Sequence, residues 1–100
     1  MTEQAMELKT RKLNLPVEKI TKLHIPKLYL EAQVTLMKHG CSVTEGEEGC
    51  ILEFPQGTTR EMSYRANISD VLIITLPDGY KLQEIYDRFQ KKSCLHYTKE

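Results

Sequence analysis

Residues 70–92 read DVLIITLPDGYKLQEIYDRFQKK and contain the clearest change of pattern in the chain. Residues 70–76 are a β-branched apolar run, which is typical of a buried strand. After the turn signal Pro77-Asp78-Gly79, apolar residues recur every three or four positions, as in an amphipathic helix. These residues are Leu82, Ile85, Tyr86 and Phe89. The stretch therefore predicts a buried strand followed by one amphipathic helix over about 80–92, with its apolar face packed on the sheet.

A second pattern, over residues 27–37, alternates apolar and polar side chains. The apolar positions are the even-numbered ones, namely Leu28, Leu30, Ala32, Val34 and Leu36. This period of two predicts a long strand. A helix over 27–38 is the alternative, because Leu, Glu, Ala, Gln and Lys favour helices, but it would scatter the apolar residues around its axis. We therefore expect a strand whose other face presents Tyr29 and Gln33.

Residues 41–54 have the composition of a hairpin. Glu45-Gly46 can form a two-residue loop, and counting outward from it places Cys41 opposite Cys50. Residues 58–65 are a further, more polar strand. Together these segments predict a sheet of four to six antiparallel strands.

The expected fold class is α+β: a curved antiparallel β-sheet or small barrel closed by one C-terminal amphipathic helix. This order of elements resembles the pleckstrin-homology domain, a barrel capped by its last helix, although no sequence motif supports the resemblance. A chain of 100 residues has room for one domain. We expect residues 1–16 to form a loosely ordered basic arm and residues 17–100 to form a single β-rich domain.

The charges cancel over the whole chain, with 14 basic and 14 acidic residues. The chain therefore lacks the net positive electrostatic field that is typical of nucleic-acid-binding proteins. Their distribution is uneven: the net charge is +3 over residues 1–40, −5 over 41–80 and +2 over 81–100. No apolar run has the length of a signal peptide or of a membrane span. These features predict a cytoplasmic or nuclear protein with no membrane partner.

Three cysteines are an odd number, and we interpret them as small buried hydrophobic residues. An extracellular domain with a Cys41–Cys50 disulfide and a glycosylated Asn67 is the alternative. Five soft ligands could in principle converge on zinc: His39, Cys41, Cys50, Cys94 and His96. The spacing lacks a Cys-x-x-Cys pair, however, so we predict no metal and no cofactor.

The sequence also lacks the groups that catalysis needs. Cys41 and Cys50 lie in the most acidic part of the chain, where a thiolate is disfavoured. Glu47 and Glu48 lie at an expected loop tip, where they are exposed to water. Acid–base catalysis instead requires a carboxylate pair that is sheltered from solvent. We therefore predict that the protein is not an enzyme.

The leading hypothesis is a non-enzymatic protein–protein interaction module, working as a subunit or adaptor of a larger complex. If the strand over 27–37 lies at a sheet edge, a partner protein or a second copy of the chain can add a strand to it. The expected contacts of this partner are Tyr29 and Gln33. The alternative is a nucleic-acid-binding module that uses basic residues of the two ends as phosphate contacts. These residues are Lys9, Arg11, Lys12, Lys91 and Lys92.

Overall fold

The computed structural model describes residues 17–97, which form a mostly β fold with eight strands and one short helix. The strands are β1 (Val17–Lys19), β2 (Lys22–Ile25), β3 (Ser42–Gly46), β4 (Gly49–Glu53), β5 (Thr59–Arg65), β6 (Ser69–Thr75), β7 (Lys81–Asp87) and β8 (Lys92–Tyr97). The helix α1 (Leu30–Lys38) lies between β2 and β3 in the chain. The strands predicted over 58–65 and 70–76 are confirmed as β5 and β6.

The strands form two antiparallel sheets. The larger sheet has the order β1-β5-β6-β7-β8, and the smaller sheet has the order β2-β4-β3. The chain crosses between the sheets at the bend between β1 and β2, where Ile20 N donates to Thr58 O at 3.2 Å and Phe54 N donates to Thr21 O at 2.8 Å. One bent segment therefore borders both sheets.

Both sheets and the helix share one hydrophobic core. Ile25 and Leu52 enter it from the smaller sheet, Ile74 and Leu82 from the larger sheet, and Leu36 from α1. Each of these side chains is at most 1% exposed. Burial of side chains this size contributes roughly 1.5–3 kcal/mol each, so this core is the main source of stability that joins the sheets.

The predicted fold class is wrong. The one helix of the described residues lies in the middle of the chain rather than at its C-terminal end, and neither sheet closes into a barrel. The α+β class and the pleckstrin-homology-like order of elements are therefore both overturned. The segment predicted as a helix over 80–92 forms β7 and the turn to β8.

Glu84 explains why β7 resembles a helix in the sequence. Leu82 and Glu84 alternate with exposed neighbours, and each is 1% exposed. A buried carboxylate needs partners, and these come from distant parts of the chain, so the local pattern places Glu84 on a solvent face. The prediction that Phe89 packs in the core is wrong as well, because Phe89 lies in the turn and is 80% exposed.

The strand predicted over 27–37 is also wrong, because residues 30–38 form α1. Ala32 and Leu36 are one helical turn apart and are 2% and 1% exposed, whereas Leu30 and Val34 face solvent. The period of two does not determine the secondary structure of this segment. Its residues favour a helix, and two buried positions are enough to pack that helix on the protein. A sheet edge at 27–37, and strand addition to it, are thereby excluded.

The hairpin of β3 and β4 has a different register from the predicted one. Gly46 pairs with Gly49 around the loop Glu47-Glu48, and Cys50 lies opposite Glu45 rather than Cys41. Gly49 has a φ of +129°, and a Cβ at this position would lie 2.5 Å from the carbonyl oxygen of Ile25. Only glycine fits this close approach of two backbones, so Gly49 fixes the turn.

Residues 1–16, predicted as a basic arm, lie outside the described residues, and the assignment of 17–100 to a single domain stays a prediction. The helix found within residues 17–97 is too short to cross a membrane, at nine residues.

Candidate functional site

The exposed side of α1 carries an apolar surface that we call the helical stripe, made of Tyr29, Leu30, Val34 and Met37. Leu30, Val34 and Met37 follow the i, i+4, i+7 spacing of one helix face. Their exposed fractions are 74%, 48% and 58%, and Tyr29, directly before the helix, is 69% exposed. Grouped exposed apolar side chains of this kind mark interaction surfaces, whereas single ones do not.

The buried side of α1, together with Gln33 at the margin of the stripe, holds the helix on the protein. Ala32 and Leu36 are buried, and the Gln33 Nε2 atom donates to Leu28 O at 3.0 Å and to Glu45 Oε1 at 2.9 Å. Glu45 belongs to β3, so Gln33 connects α1 to the edge of the smaller sheet. These contacts fix the direction in which the helical stripe points.

The two predicted partner-binding residues have different environments. Tyr29 is exposed, and the Lys27 Nζ atom lies 5.0 Å from the centre of its ring, in a cation–π arrangement that orients the ring. Gln33 is half-buried, and its side-chain amide is hydrogen-bonded to Leu28 and Glu45. The structure thus places Tyr29 in the helical stripe and Gln33 at its margin, and whether either residue contacts a partner stays a prediction.

Sequence reasoning missed Leu30, Val34 and Met37 as surface residues. Their helical spacing is present in the sequence, but it competes with the period of two over the same residues. Of the five predicted nucleic-acid contacts, Lys91 and Lys92 lie at the exposed turn between β7 and β8. Lys9, Arg11 and Lys12 lie outside the described residues, so nucleic-acid binding by the two ends also stays a prediction.

A cleft with a volume of about 740 Å³ lies between the inner face of the larger sheet and the β2–β4 side of the smaller one. Its floor contains Glu84, whose Oε2 accepts a hydrogen bond from Ser93 Oγ at 2.7 Å and whose Oε1 lies 3.3 Å from Arg60 Nη1. Arg60 also pairs with Glu18 at 2.8 Å. Glu84 is thus the centre of a network that connects β1, β5, β7 and β8.

Asp70 is the second carboxylate of the cleft floor, and its side chain is 12% exposed. Its Oδ1 atom lies 3.4 Å from the Nε atoms of both Arg65 and Arg88. Both buried carboxylates therefore lie within ion-pair distance of an arginine, although Asp70 Oδ1 and Arg88 Nε have no hydrogen-bond partner within residues 17–97.

His39, Asp78 and Tyr80 form a cluster where α1 ends. The Nδ1 atom of His39 lies 2.5 Å from Asp78 Oδ2, and the imidazole stacks on the Tyr80 ring with centres 3.9 Å apart and planes 10° from parallel. The hydrogen bond with His39, and then that from the Tyr80 backbone N–H, lower the pKa of Asp78 below its ordinary 3.8. This cluster ties the end of α1 to the turn between β6 and β7.

All three cysteines are free thiols. Cys41 and Cys50 are buried as predicted, but Cys94 is exposed, and its Sγ lies 4.0 Å from His96 Nε2. Burial, and then the charge of Asp78, raise the pKa of Cys41 to about 11, so its thiol is protonated at neutral pH and is a poor nucleophile. Within residues 17–97, no three His, Cys, Asp or Glu side chains are placed to hold a metal ion together.

Comparison with known proteins gives no relative: no family model, no curated protein and no solved structure matches the chain.

Proposed function

We propose that this protein is a non-enzymatic protein–protein interaction module, a subunit or adaptor whose helical stripe docks in an apolar groove of another protein. The observation that supports this function is the helical stripe itself: four apolar side chains between 48% and 74% exposed on one short segment. Helix-in-groove recognition uses anchors at this spacing. Burial of these side chains is the driving force for such a complex.

A groove fits the helical stripe better than a second copy of the same surface does. A helix of nine residues is about 13.5 Å long, so two such helices side by side share only a short line of contact. Specific interfaces bury about 1,200–2,000 Å² in total. A concave partner that surrounds the stripe on both sides reaches this buried area more readily than a second convex helix does. We therefore propose that the stripe binds in a groove of its partner.

The anchoring of α1 also favours docking as a rigid element. Gln33 connects the helix to β3, and the His39–Asp78 contact connects its end to the β6–β7 turn. A preformed helix loses less conformational entropy on binding than a segment that folds at the partner's surface. We further propose a cytoplasmic or nuclear location, where free cysteines such as these remain reduced.

The experiment compares two double variants with the wild-type chain in capture from extracts of the source organism. Leu30→Gln with Met37→Gln removes two anchors of the helical stripe while keeping good helix formers. Ile68→Gln with Phe89→Gln is the matched control, since it removes two equally exposed apolar side chains from another surface. We expect one stoichiometric partner whose affinity falls at least about tenfold for the helix variant and is unchanged for the control.

A photoreactive benzoylphenylalanine at Val34 gives the second readout, and we expect it to crosslink to the same partner. Equal capture by the helix variant and the wild type would place the docking surface elsewhere and overturn the assignment. Co-purifying nucleic acid whose binding falls steeply with salt would overturn it in favour of the nucleic-acid alternative.

A further inference from the structure

The β5–β6 turn and the β7–β8 turn lie side by side at one end of the larger sheet. Arg88 connects them: its backbone N–H donates to Ile68 O at 2.8 Å, and its Nη2 donates to Ala66 O. The guanidinium also lies 3.4 Å from Asp70 Oδ1 through its Nε atom. One arginine therefore holds the two turns as a single surface.

This end of the sheet exposes two large apolar side chains. Phe89 is 80% exposed, the largest value for a large hydrophobic residue within 17–96, and Ile68 is 62% exposed. The turn that carries Phe89 is ordered by Asp87 Oδ1, which accepts from the backbone N–H groups of Phe89 at 2.8 Å and Gln90 at 3.0 Å. The ring is thus held out into solvent by a fixed backbone rather than by a loose loop.

Four basic residues belong to the same two turns or to the strand ends beside them, namely Arg65, Arg88, Lys91 and Lys92. Arg65 has 63% of its side chain exposed, and Lys91 and Lys92 are both exposed. Of the acidic groups nearby, Asp70 is mostly buried within 3.4 Å of two arginines and Asp87 orders the turn, whereas the exposed Glu48 lines the same cleft as Lys91 and Lys92. We call the whole the tip surface, made of Arg65, Ile68, Arg88, Phe89, Lys91 and Lys92.

We infer that the tip surface binds peripherally to anionic lipid bilayers, with Ile68 and Phe89 entering the interface and the basic residues contacting the headgroups. An apolar centre with a basic rim is the combination that favours the surface of an anionic membrane. Single-stranded nucleic acid would instead need several aromatic rings for stacking, and the side chain of Ile68 is not aromatic. This activity goes beyond protein–protein docking and replaces the expectation that the chain has no membrane partner.

The first test is cosedimentation of the full chain with vesicles of phosphatidylcholine alone and of phosphatidylcholine with phosphatidylserine. We expect binding to the anionic vesicles only, at low salt. Lys91→Glu with Lys92→Glu and, separately, Ile68→Gln with Phe89→Gln should each lower this affinity at least about tenfold. Val17→Gln with Ile51→Gln, two exposed apolar residues outside both proposed surfaces, is the matched control and should bind as the wild type does.

A second measurement reports insertion directly. The chain has no tryptophan, so Phe89→Trp introduces a single reporter at the tip surface. We expect a blue shift of its emission with anionic vesicles and none with phosphatidylcholine alone. Because Phe89 and Ile68 are exposed, their variants should have the same unfolding midpoint as the wild type. A loss of vesicle binding then cannot be attributed to a loss of folding.

Three outcomes would overturn the inference. The first is equal sedimentation of the wild type and both tip variants with anionic vesicles, and the second is the absence of sedimentation of the wild type with them at low salt. The third is tight binding of a single-stranded oligonucleotide that Phe89→Ala abolishes, while anionic vesicles leave the tryptophan emission of the Phe89→Trp variant unchanged.

Discussion

At the scale of single residues, the contact between His39 and Asp78 joins parts of the chain that are 39 positions apart. Asp78 is exposed, so water weakens its attraction to the imidazole, but the carboxylate also accepts the Tyr80 N–H at 3.0 Å. The hydrogen bonds that lower the pKa of Asp78 form only in the folded protein. The stability of the fold must therefore depend on the protonation of this carboxyl.

The sign of this dependence follows from the direction of the shift. As pH falls, the unfolded chain protonates Asp78 near its ordinary pKa of 3.8, before the folded protein does. The stabilisation from Asp78 is therefore full above pH 3.8 and is lost as pH falls through the lower folded pKa.

We predict that Asp78→Asn lowers the urea midpoint at about pH 6 and that its difference from the wild type narrows below pH 3.8. Asparagine keeps the oxygen that faces the Tyr80 N–H but places an NH2 group where Oδ2 faces His39, so the variant reports the charge together with the His39 hydrogen bond. The measurement is a series of urea unfolding curves against pH. A constant difference between the two proteins over the whole range would mean that Asp78 acts through packing rather than through its charge.

At the scale of elements, β7 and the turn after it contain both a core residue and a solvent-facing one within eight positions. Leu82 is 1% exposed and Phe89 is 80% exposed. We predict that Leu82→Ala lowers the free energy of unfolding by about 2–5 kcal/mol, because it leaves a cavity in the shared core. Phe89→Ala should change it by less than about 0.5 kcal/mol, since the ring is in solvent. Chemical denaturation of the two variants gives both values, and a large loss for Phe89→Ala would place its ring in the core.

The individual elements also show which parts of the fold can be predicted from the sequence. The strand over 70–76 was predictable because its run of apolar, mostly β-branched residues is buried or half-buried along its length, and such a run favours a strand. The strand β7 was not, because the partners of Glu84, Arg60 and Ser93, are distant in the chain, so its buried carboxylate resembles a solvated one. For α1, one segment fits two periods, and only tertiary packing of Ala32 and Leu36 decides between them.

The candidate site was only partly predictable for the same reason. The sequence indicates Tyr29 as an exposed aromatic, and it is exposed. The other residues of the helical stripe share an exposed face only because residues 30–38 form a helix, and that helix was not predicted. The tip surface depends on the pairing of two turns through Arg88, which no local pattern indicates.

At the scale of the whole molecule, the shared core makes the two sheets one cooperative unit. Leu52 of the smaller sheet and Ile74 of the larger sheet are both 0% exposed in this core. We predict that Leu52→Ala lowers the exchange protection of the slowest amides in both sheets by the same free energy, about 2–5 kcal/mol. Amide exchange measured residue by residue checks this. Wild-type protection in β6 and β7 together with lost protection in β4 would show that the sheets unfold independently.

The shared core also has a consequence for how the two proposed surfaces work together. The tip surface belongs to the larger sheet, and α1 lies beside β3 of the smaller one, so two different ligands can be bound at the same time. A molecule held at a bilayer would present its helix in a fixed orientation and would confine its protein partner to a thin layer above the lipid. Two individually weak contacts would then reinforce each other through effective concentration, and the pair would report the coincidence of both ligands.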